Sequence, residues 1–154
     1  MLPRSYDNQN CSIARTLEFV GERWSLLIIR DAFLGLRRFD EFQGSLGIAR
    51  NVLTDRLRRL VGAGILVRMR YQERPVRYEY GLTESGRELS VPLLALMHWG
   101  DRHLAPDGAP RVAEHTGCGG AVTERHLCRK CGAVLGTGDV RTRPGPGQRE
   151  PAHR

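Results

Sequence analysis

The stretch GIARNVLTDRLRRL, residues 47–60, decides the fold of this 154-residue chain. Leu53, Leu57 and Leu60 recur at the spacing of one helical face, while arginines and short polar side chains fill the rest of the stretch. A helix of this kind packs its apolar face on a core and turns its charged face outward. We therefore predict a helix over residues 49–63 with an exposed arginine-rich face.

The residues before this stretch predict three further helices. Apolar residues at helical spacing place them over residues 11–20, 22–34 and 39–46. The second is apolar around most of its circumference, which indicates a central core helix. The third lies between Gly35 and Gly47, and a turn joins it to the arginine-faced helix.

The residues after the stretch predict a β-hairpin and a last helix. Runs 65–71 and 76–82 have extended patterning, and the turn residues between them include a proline. Thr83 can cap a helix that runs to about residue 104, and Pro92 should kink or restart it. This order of elements is that of a winged helix-turn-helix, in which the hairpin is the wing.

The basic charge of the chain is concentrated on this predicted helix and hairpin. Lysine plus arginine number 24 against 17 acidic residues, and residues 50–77 alone hold eight arginines and two acids. A positive patch of this kind attracts the phosphates of double-stranded DNA, although a solvated arginine face is the alternative. The predicted contacts fall into three sets. They are base contacts by Arg50, Asn51, Thr54 and Asp55, phosphate contacts by Arg56, Arg58 and Arg59, and wing contacts by Arg74 and Arg77.

Three of the four cysteines lie in a short carboxyl-terminal segment with metal-ligand spacing. His115-x2-Cys118-Gly and Cys128-x2-Cys131-Gly form two knuckles, each able to supply two ligands to a tetrahedral Zn²⁺. We expect one structural zinc ion per chain, because so short a segment has too little core to fold unaided. His126 is an alternative fourth ligand, and free thiols in a disordered tail are the alternative to a metal site.

The composition predicts a multi-part chain of class α+β. We expect a mostly helical winged helix-turn-helix domain with a two-stranded wing over residues 1–105 and a linker over 106–114. A zinc-ribbon-like segment over 115–136 and a disordered Pro, Gly and Arg tail over 137–154 follow. Neither a membrane-spanning run nor a signal peptide is evident, so we expect a cytoplasmic protein with no membrane partner.

The sequence argues against an enzyme. It lacks a phosphate-binding glycine loop with lysine, a Gly-x-Ser-x-Gly elbow and a His-Glu-x-x-His pair. The zinc deaminase pattern fails because position 117 is glycine and position 127 is leucine. An adaptor in which the ribbon and winged helix bind protein or RNA is the alternative to a DNA-binding regulator.

Several motifs resemble the HxlR family of bacterial transcription regulators, which are MarR-like. They include Arg38-Phe39-Asp40-Glu41-Phe42, the 47–60 stretch itself, Arg74-Pro75 and the run Tyr78 to Gly86. Cys11 and Trp24-Ser25 fit as well, whereas Gly81 departs from the polar residue frequent there. The resemblance covers residues 11–104 and implies a repressor-type regulator that dimerises through its first and last helices and binds near-palindromic operators.

Two further expectations concern assembly and sensing. A two-fold dimer doubles the DNA site, and the stripe formed by Leu89, Leu93, Leu96 and Met97, with Trp99 nearby, is a candidate dimer surface or else packs on its own domain. Cys11 stands at the amino end of the first predicted helix, where amides and Arg15 would favour its thiolate. The resemblance implies that such a cysteine can sense oxidants or aldehydes, and the alternative for Cys11 is a buried structural thiol. A small-molecule effector is a further expected partner.

Overall fold

The computed structural model describes residue 6 and residues 10–148. The chain divides into two compact units, residues 1–93 and 94–154. The described helices are α1 (Ser12–Val20), α2 (Ser25–Phe33), α3 (Phe39–Leu46), α4 (Arg50–Gly62), α5 (Glu84–Glu88) and α6 (Ser90–Leu104). The described strands are β1 (Leu66–Glu73), β2 (Val76–Leu82), β3 (His126–Leu127) and β4 (Val134–Leu135).

The core of the first unit forms around α2, as its all-round apolar pattern predicts. Ile28 and Ile29 of α2 are fully buried against Phe42 of α3 and the three leucines of α4. The helix also buries Asp31, whose Oδ1 accepts hydrogen bonds from Arg30 at 2.7 and 2.8 Å. This buried carboxylate was not predicted, because Arg30 and Asp31 interrupt an otherwise apolar pattern and neither has a signal for burial.

The helix-turn-helix consists of α3, a turn and α4, as predicted. Helix α3 ends at Gly47, which has a left-handed φ of 60°, and α4 begins at Arg50. Leu53, Leu57 and Leu60 are buried, whereas Thr54, Arg58 and Arg59 between them are exposed. The apolar side of α4 therefore fixes which of its side chains remain accessible.

The wing is the predicted antiparallel hairpin of β1 and β2. Its register pairs Leu66 with Leu82 at the base, and an irregularity lies between Arg70 and Gln72 near the tip. The chain just before α3 joins the sheet edge, because the amide of Tyr80 donates to the carbonyl of Arg37 at 2.8 Å. This contact attaches the wing to the helix-turn-helix. The predicted α+β winged-helix class is confirmed.

The last predicted helix is divided in two. Thr83 caps α5 by accepting a 3.0 Å hydrogen bond from the amide of Gly86, and the chain restarts as α6 at Ser90. Pro92 lies in the first turn of α6, where its missing N–H costs no helical hydrogen bond. The predicted restart is thus confirmed.

The second unit contains most of α6 and the Cys/His segment. The division between units falls after residue 93, inside α6, and the predicted domain boundary at residue 105 stays a prediction. Strands β3 and β4 pair as a two-residue hairpin, and residues 105–148 include no buried residue. The predicted 106–114 linker and 115–136 segment stay predictions; of the predicted tail, residues 149–154 lie outside the described residues.

Candidate DNA interface

One exposed side of α4 gathers the predicted base-contacting residues. They line an open depression of about 670 Å³ together with Arg58. Thr54 is exposed, and its hydroxyl donates to the carbonyl of Arg50 at 2.8 Å. The lining residues are Arg50, Asn51, Thr54, Asp55 and Arg58. The arrangement offers side-chain donors and acceptors from the amino-terminal half of one helix.

A carboxylate lies inside the arginine cluster of α4. Asp55 contacts the guanidinium groups of Arg58 at 2.6 Å and Arg59 at 3.0 Å. The hydrogen bond from Arg58, with the positive charge of Arg59, lowers the pKa of Asp55 below its ordinary 3.8. Asp55 is therefore ionised at neutral pH and offsets part of the positive charge that it adjoins.

Arg56 has a different environment from its neighbours on α4. Its side chain is only 16% exposed and binds Glu22 and Asp55, each at 2.9 Å. Its Nε is buried without a hydrogen-bond partner in the described structure. Two carboxylates already occupy this guanidinium, so it is less accessible than those of Arg58 and Arg59, and its phosphate contact stays a prediction.

Two arginines at or near the exposed side of α4 pack against aromatic rings. Arg50 lies over the ring of Phe39 at 4.8 Å, and Arg38 lies over Tyr71 at 4.8 Å. These residues and Arg77 line a groove of about 560 Å³ between the start of α3 and the wing. Sequence reasoning missed Arg38 and this groove, although the alternation of tyrosine and arginine along the wing strands hinted at it.

The wing tip carries the two predicted wing arginines. Arg74 and Arg77 are both exposed, and Arg77 pairs in register with Gln72. Gln72 donates its amide to the carbonyl of Arg74 at 3.1 Å. This hydrogen bond engages the backbone of Arg74 at the turn and not its guanidinium group.

Cys11 is exposed at the amino-terminal cap position of α1. Its carbonyl accepts a 3.1 Å hydrogen bond from the amide of Arg15. Arg15 also lines a cavity of about 270 Å³ within the first unit, with Phe19, Ile65 and Leu89 among its walls. The predicted sensing cysteine is thus accessible and lies one helical turn from a small, partly apolar cavity.

The four predicted zinc ligands lie as two pairs. His115 Nδ1 is 3.1 Å from Cys118 Sγ, and the backbone amides of Cys131 and Lys130 lie beside the Cys128 thiol. These amides lower the pKa of the Cys128 thiol. Within the part of the chain that the structure describes, no three His, Cys, Asp or Glu side chains converge on one metal position.

The fold and the α4 surface define a winged-helix, DNA-binding transcription regulator. Residues 19–108 match the profile of the HxlR-like helix-turn-helix family. The chain belongs to this family, whose members regulate transcription and are not enzymes. None of the described helices is long and apolar enough to span a membrane.

Relatives cover either nearly the whole chain or its winged-helix part. The HTH-type transcriptional regulator Rv3095 of Mycobacterium tuberculosis is 46% identical, over 88% of this chain and 87% of its own. The crystal structure of PA1607, described as a candidate transcription factor, has a TM-score of 0.79 and 39% identity, covering 88% and 95% of the two chains.

Two shorter structures resemble the winged-helix part. The redox regulator HypR in its reduced form has a TM-score of 0.57 and 33% identity, covering 60% of this chain and 92% of its own. A candidate regulator of the MarR family from Enterococcus faecalis has a TM-score of 0.53 and 38% identity, covering 59% and 84%. The MarR-like character implied by the sequence motifs is confirmed.

Proposed function

We propose that the protein is a cytoplasmic homodimeric repressor that binds near-palindromic operators through α4. The observation that carries this proposal is the open side of α4, where Arg50, Asn51 and Thr54 are exposed together. A helix placed in the major groove reads bases with residues near its amino terminus, and these are the residues there. Occupation of an operator would exclude the transcription machinery from the same DNA.

The side chains on this surface match particular base edges. A guanidinium such as that of Arg50 suits the O6 and N7 acceptors of guanine, and its contact with Phe39 limits the positions it can adopt. The amide of Asn51 suits the N6 and N7 groups of adenine, and the methyl of Thr54 suits that of thymine. We assign base recognition to these three residues and expect Asp55 to tune it.

Phosphate contacts come from exposed arginines on both sides of the reading surface. Arg58 and Arg59 lie on α4, while Arg74 and Arg77 lie at the wing tip. Each guanidinium that replaces a phosphate counterion adds affinity for any sequence and makes binding more sensitive to salt. These four residues would therefore fix the position of the protein on the duplex, with the α4 residues supplying specificity.

The homodimer is proposed to form through α1 and α6. Both helices leave large apolar side chains exposed, which a second copy of the chain would cover. No residue of α6 is buried, although all fifteen of its residues are described. The exposed apolar residues are Ile13, Leu17 and Phe19 on α1, and Val91, Leu96, Trp99 and Leu104 on α6.

An oxidant or electrophile is the proposed effector, with Cys11 as its target. The exposure of the thiol supports this role, as does the similarity to a solved structure named as a redox regulator. Treatment with diamide should change the operator affinity of the reduced protein but not that of Cys11→Ser. An equal response of both proteins would show that Cys11 is not the target. The second proposed effector is a small molecule that binds in the cavity beside Arg15.

Two substitutions on α4 test the proposed division of roles. Arg58→Ala should weaken binding to all DNA sequences and reduce the slope of log affinity against log salt by about 1. Asn51→Ala should instead lower the preference for operator over unrelated DNA, by about 1–3 kcal/mol per half-site. Equilibrium binding to operator and to scrambled duplex, at several salt concentrations, separates the two effects.

The matched control is Arg87→Ala, because Arg87 is exposed but donates to the carbonyl of Leu82, at the hairpin end away from the wing tip. It should leave both the salt slope and the operator preference unchanged. An Asn51→Ala protein that loses affinity equally for operator and scrambled DNA would contradict base reading by α4.

A further inference from the structure

Two turns in the second unit repeat one backbone geometry. The amide of His115 donates to the carbonyl of Gly120 at 2.8 Å, and the amide of Cys128 donates to that of Ala133 at 2.9 Å. Inside these turns, Gly119 donates to His115 and Gly132 to Cys128, both at 2.8 Å. A candidate ligand, His115 or Cys128, therefore occupies the first position of each turn.

The glycines make these turns possible. Gly119 and Gly132 have φ values of 71° and 72°, a left-handed conformation that L side chains rarely adopt. Each glycine directly follows the second ligand residue of its turn, Cys118 or Cys131. The spacing His-x2-Cys-Gly and Cys-x2-Cys-Gly thus specifies a pair of matched turns.

Each turn brings its two ligand side chains together. In the first, the imidazole of His115 approaches Cys118 Sγ at 3.1 Å. In the second, the side chain and amide of Cys131 and the amide of Lys130 lie beside the Cys128 thiol. Each turn therefore holds its two candidate ligands side by side.

The segment lacks the apolar interior that would hold it in shape. Strands β3 and β4 have two residues each, and Leu127 and Val134 within them are more than half exposed. None of the described residues from 105 to 148 is buried. A segment with defined turns but no core needs a cross-link, and its three cysteines are free thiols.

One polar contact fastens this segment to α6 within the second unit. Glu124 lies between the two turns in sequence. Its carboxylate oxygen is 2.6 Å from His98 Nδ1, and both side chains are largely buried. This hydrogen bond lowers the pKa of Glu124. A single contact of this kind positions the segment but does not replace a core.

We propose that His115, Cys118, Cys128 and Cys131 bind one Zn²⁺ per chain in a closed, structural site. Three thiolates and an imidazole are a donor set that Zn²⁺ prefers in tetrahedral geometry, and four protein ligands leave no position for a catalytic water. The structure holds the ligands as two pairs, so the proposal includes closure of the two turns upon one ion.

The proposed site is an addition to the family fold. The family profile ends at residue 108, before the first ligand. Rv3095 and PA1607 each match 88% of the chain, so their similarity extends beyond the family profile. The proposed ligands lie outside the part of the chain that defines the family.

Cobalt titration of the tag-free, reduced full chain tests the proposal, because Co²⁺ reports coordination geometry in its spectrum. One Co²⁺ per chain should bind with the absorption of a tetrahedral thiolate site, and Zn²⁺ should displace it. The variants Cys118→Ser, Cys128→Ser, Cys131→Ser and His115→Ala should each weaken binding by at least about tenfold. The controls Cys11→Ser and His126→Ala should bind as the unchanged chain does.

Far-ultraviolet circular dichroism checks that each variant retains its helices, whose core lies in the first unit. A chain that is folded but gives no tetrahedral cobalt spectrum would overturn the proposal. Loss of binding in His126→Ala with retention in His115→Ala would overturn the ligand set. A stoichiometry of half an ion per chain would indicate a site shared between two copies, which would also contradict the proposed site.

Discussion

Asp55 Oδ1 accepts a 2.6 Å hydrogen bond from Arg58 on the exposed side of α4. The carboxylate therefore competes with DNA phosphate for an arginine that the proposed function places on the duplex. A surface built only for strong non-specific binding would have no acid at this position. We interpret Asp55 as a residue that restrains non-specific affinity and so favours operator selection.

Removal of this negative charge should strengthen binding to unrelated DNA. Asp55→Asn releases Arg58 and Arg59 for phosphate, so we expect affinity for scrambled duplex to rise about tenfold at low salt, with a steeper salt slope. Glu88→Gln, an exposed acid of α5 with the same change in charge, is the control. A similar increase in both variants would attribute the effect to net charge alone.

Arg56 should contribute to stability and not to the salt slope. Its largely buried guanidinium joins α4 to Glu22, so Arg56→Ala leaves a carboxylate unpaired and should cost about 1–2 kcal/mol of unfolding free energy. Urea unfolding of the single variants and of the double variant with Glu22→Gln measures the coupling. If Arg56→Ala left the stability unchanged but reduced the salt slope of DNA binding, Arg56 would instead be assigned to a phosphate contact.

The amino terminus of α3 should show a pH-dependent contribution from Glu41. Its carboxylate accepts hydrogen bonds from the amides of Arg37 and Arg38 at 2.8 Å, and these amides lower its pKa below the ordinary 4.5. Because the folded pKa is lower than the unfolded one, the stabilisation is present above about pH 4.5 and is lost as pH falls through the folded pKa.

Glu41→Ala should therefore reduce the unfolding free energy by about 0.5–1 kcal/mol at neutral pH. The difference from the unchanged chain should shrink below about pH 4.5, where the unchanged chain loses the same contribution. Chemical unfolding across this pH range measures it. A difference that stays constant with pH would show that the carboxylate does not act as a charged cap.

The proposed dimer predicts a strong effect at Leu96. This side chain is 54% exposed on α6, so Leu96→Arg should leave the folded monomer intact but weaken self-association at least about tenfold. Val112→Arg, an exposed apolar residue outside α6, should associate normally. Sedimentation velocity over a dilution series measures both, and equal association of the two variants would contradict an α6 interface.

The sequence predicts those elements that depend on local periodicity and on turn residues. Helix α3 has the predicted bounds because Gly47 stops it, and α4 departs from its predicted range by one residue at each end. Arg56 could not be placed in this way, because its partner Glu22 is distant in sequence and only the packed fold brings them together.

The groove beside the wing shows the same limit. Arg38 reaches Tyr71 because the chain before α3 pairs with β2 and because β1 is irregular near that tyrosine. Neither feature produces a local periodicity in the sequence. The knuckle spacing, in contrast, is local, and each of its two turns has a left-handed glycine directly after its cysteine.

The measurement that tests the account most directly is recovery of genomic DNA fragments by the purified protein at moderate salt, followed by sequencing of the bound fragments. The account predicts a short inverted repeat whose half-sites lie about one helical turn apart, and a changed half-site preference for Asn51→Ala. Fragments with no shared motif, or no retained DNA, would contradict a sequence-specific dimer and favour the adaptor alternative.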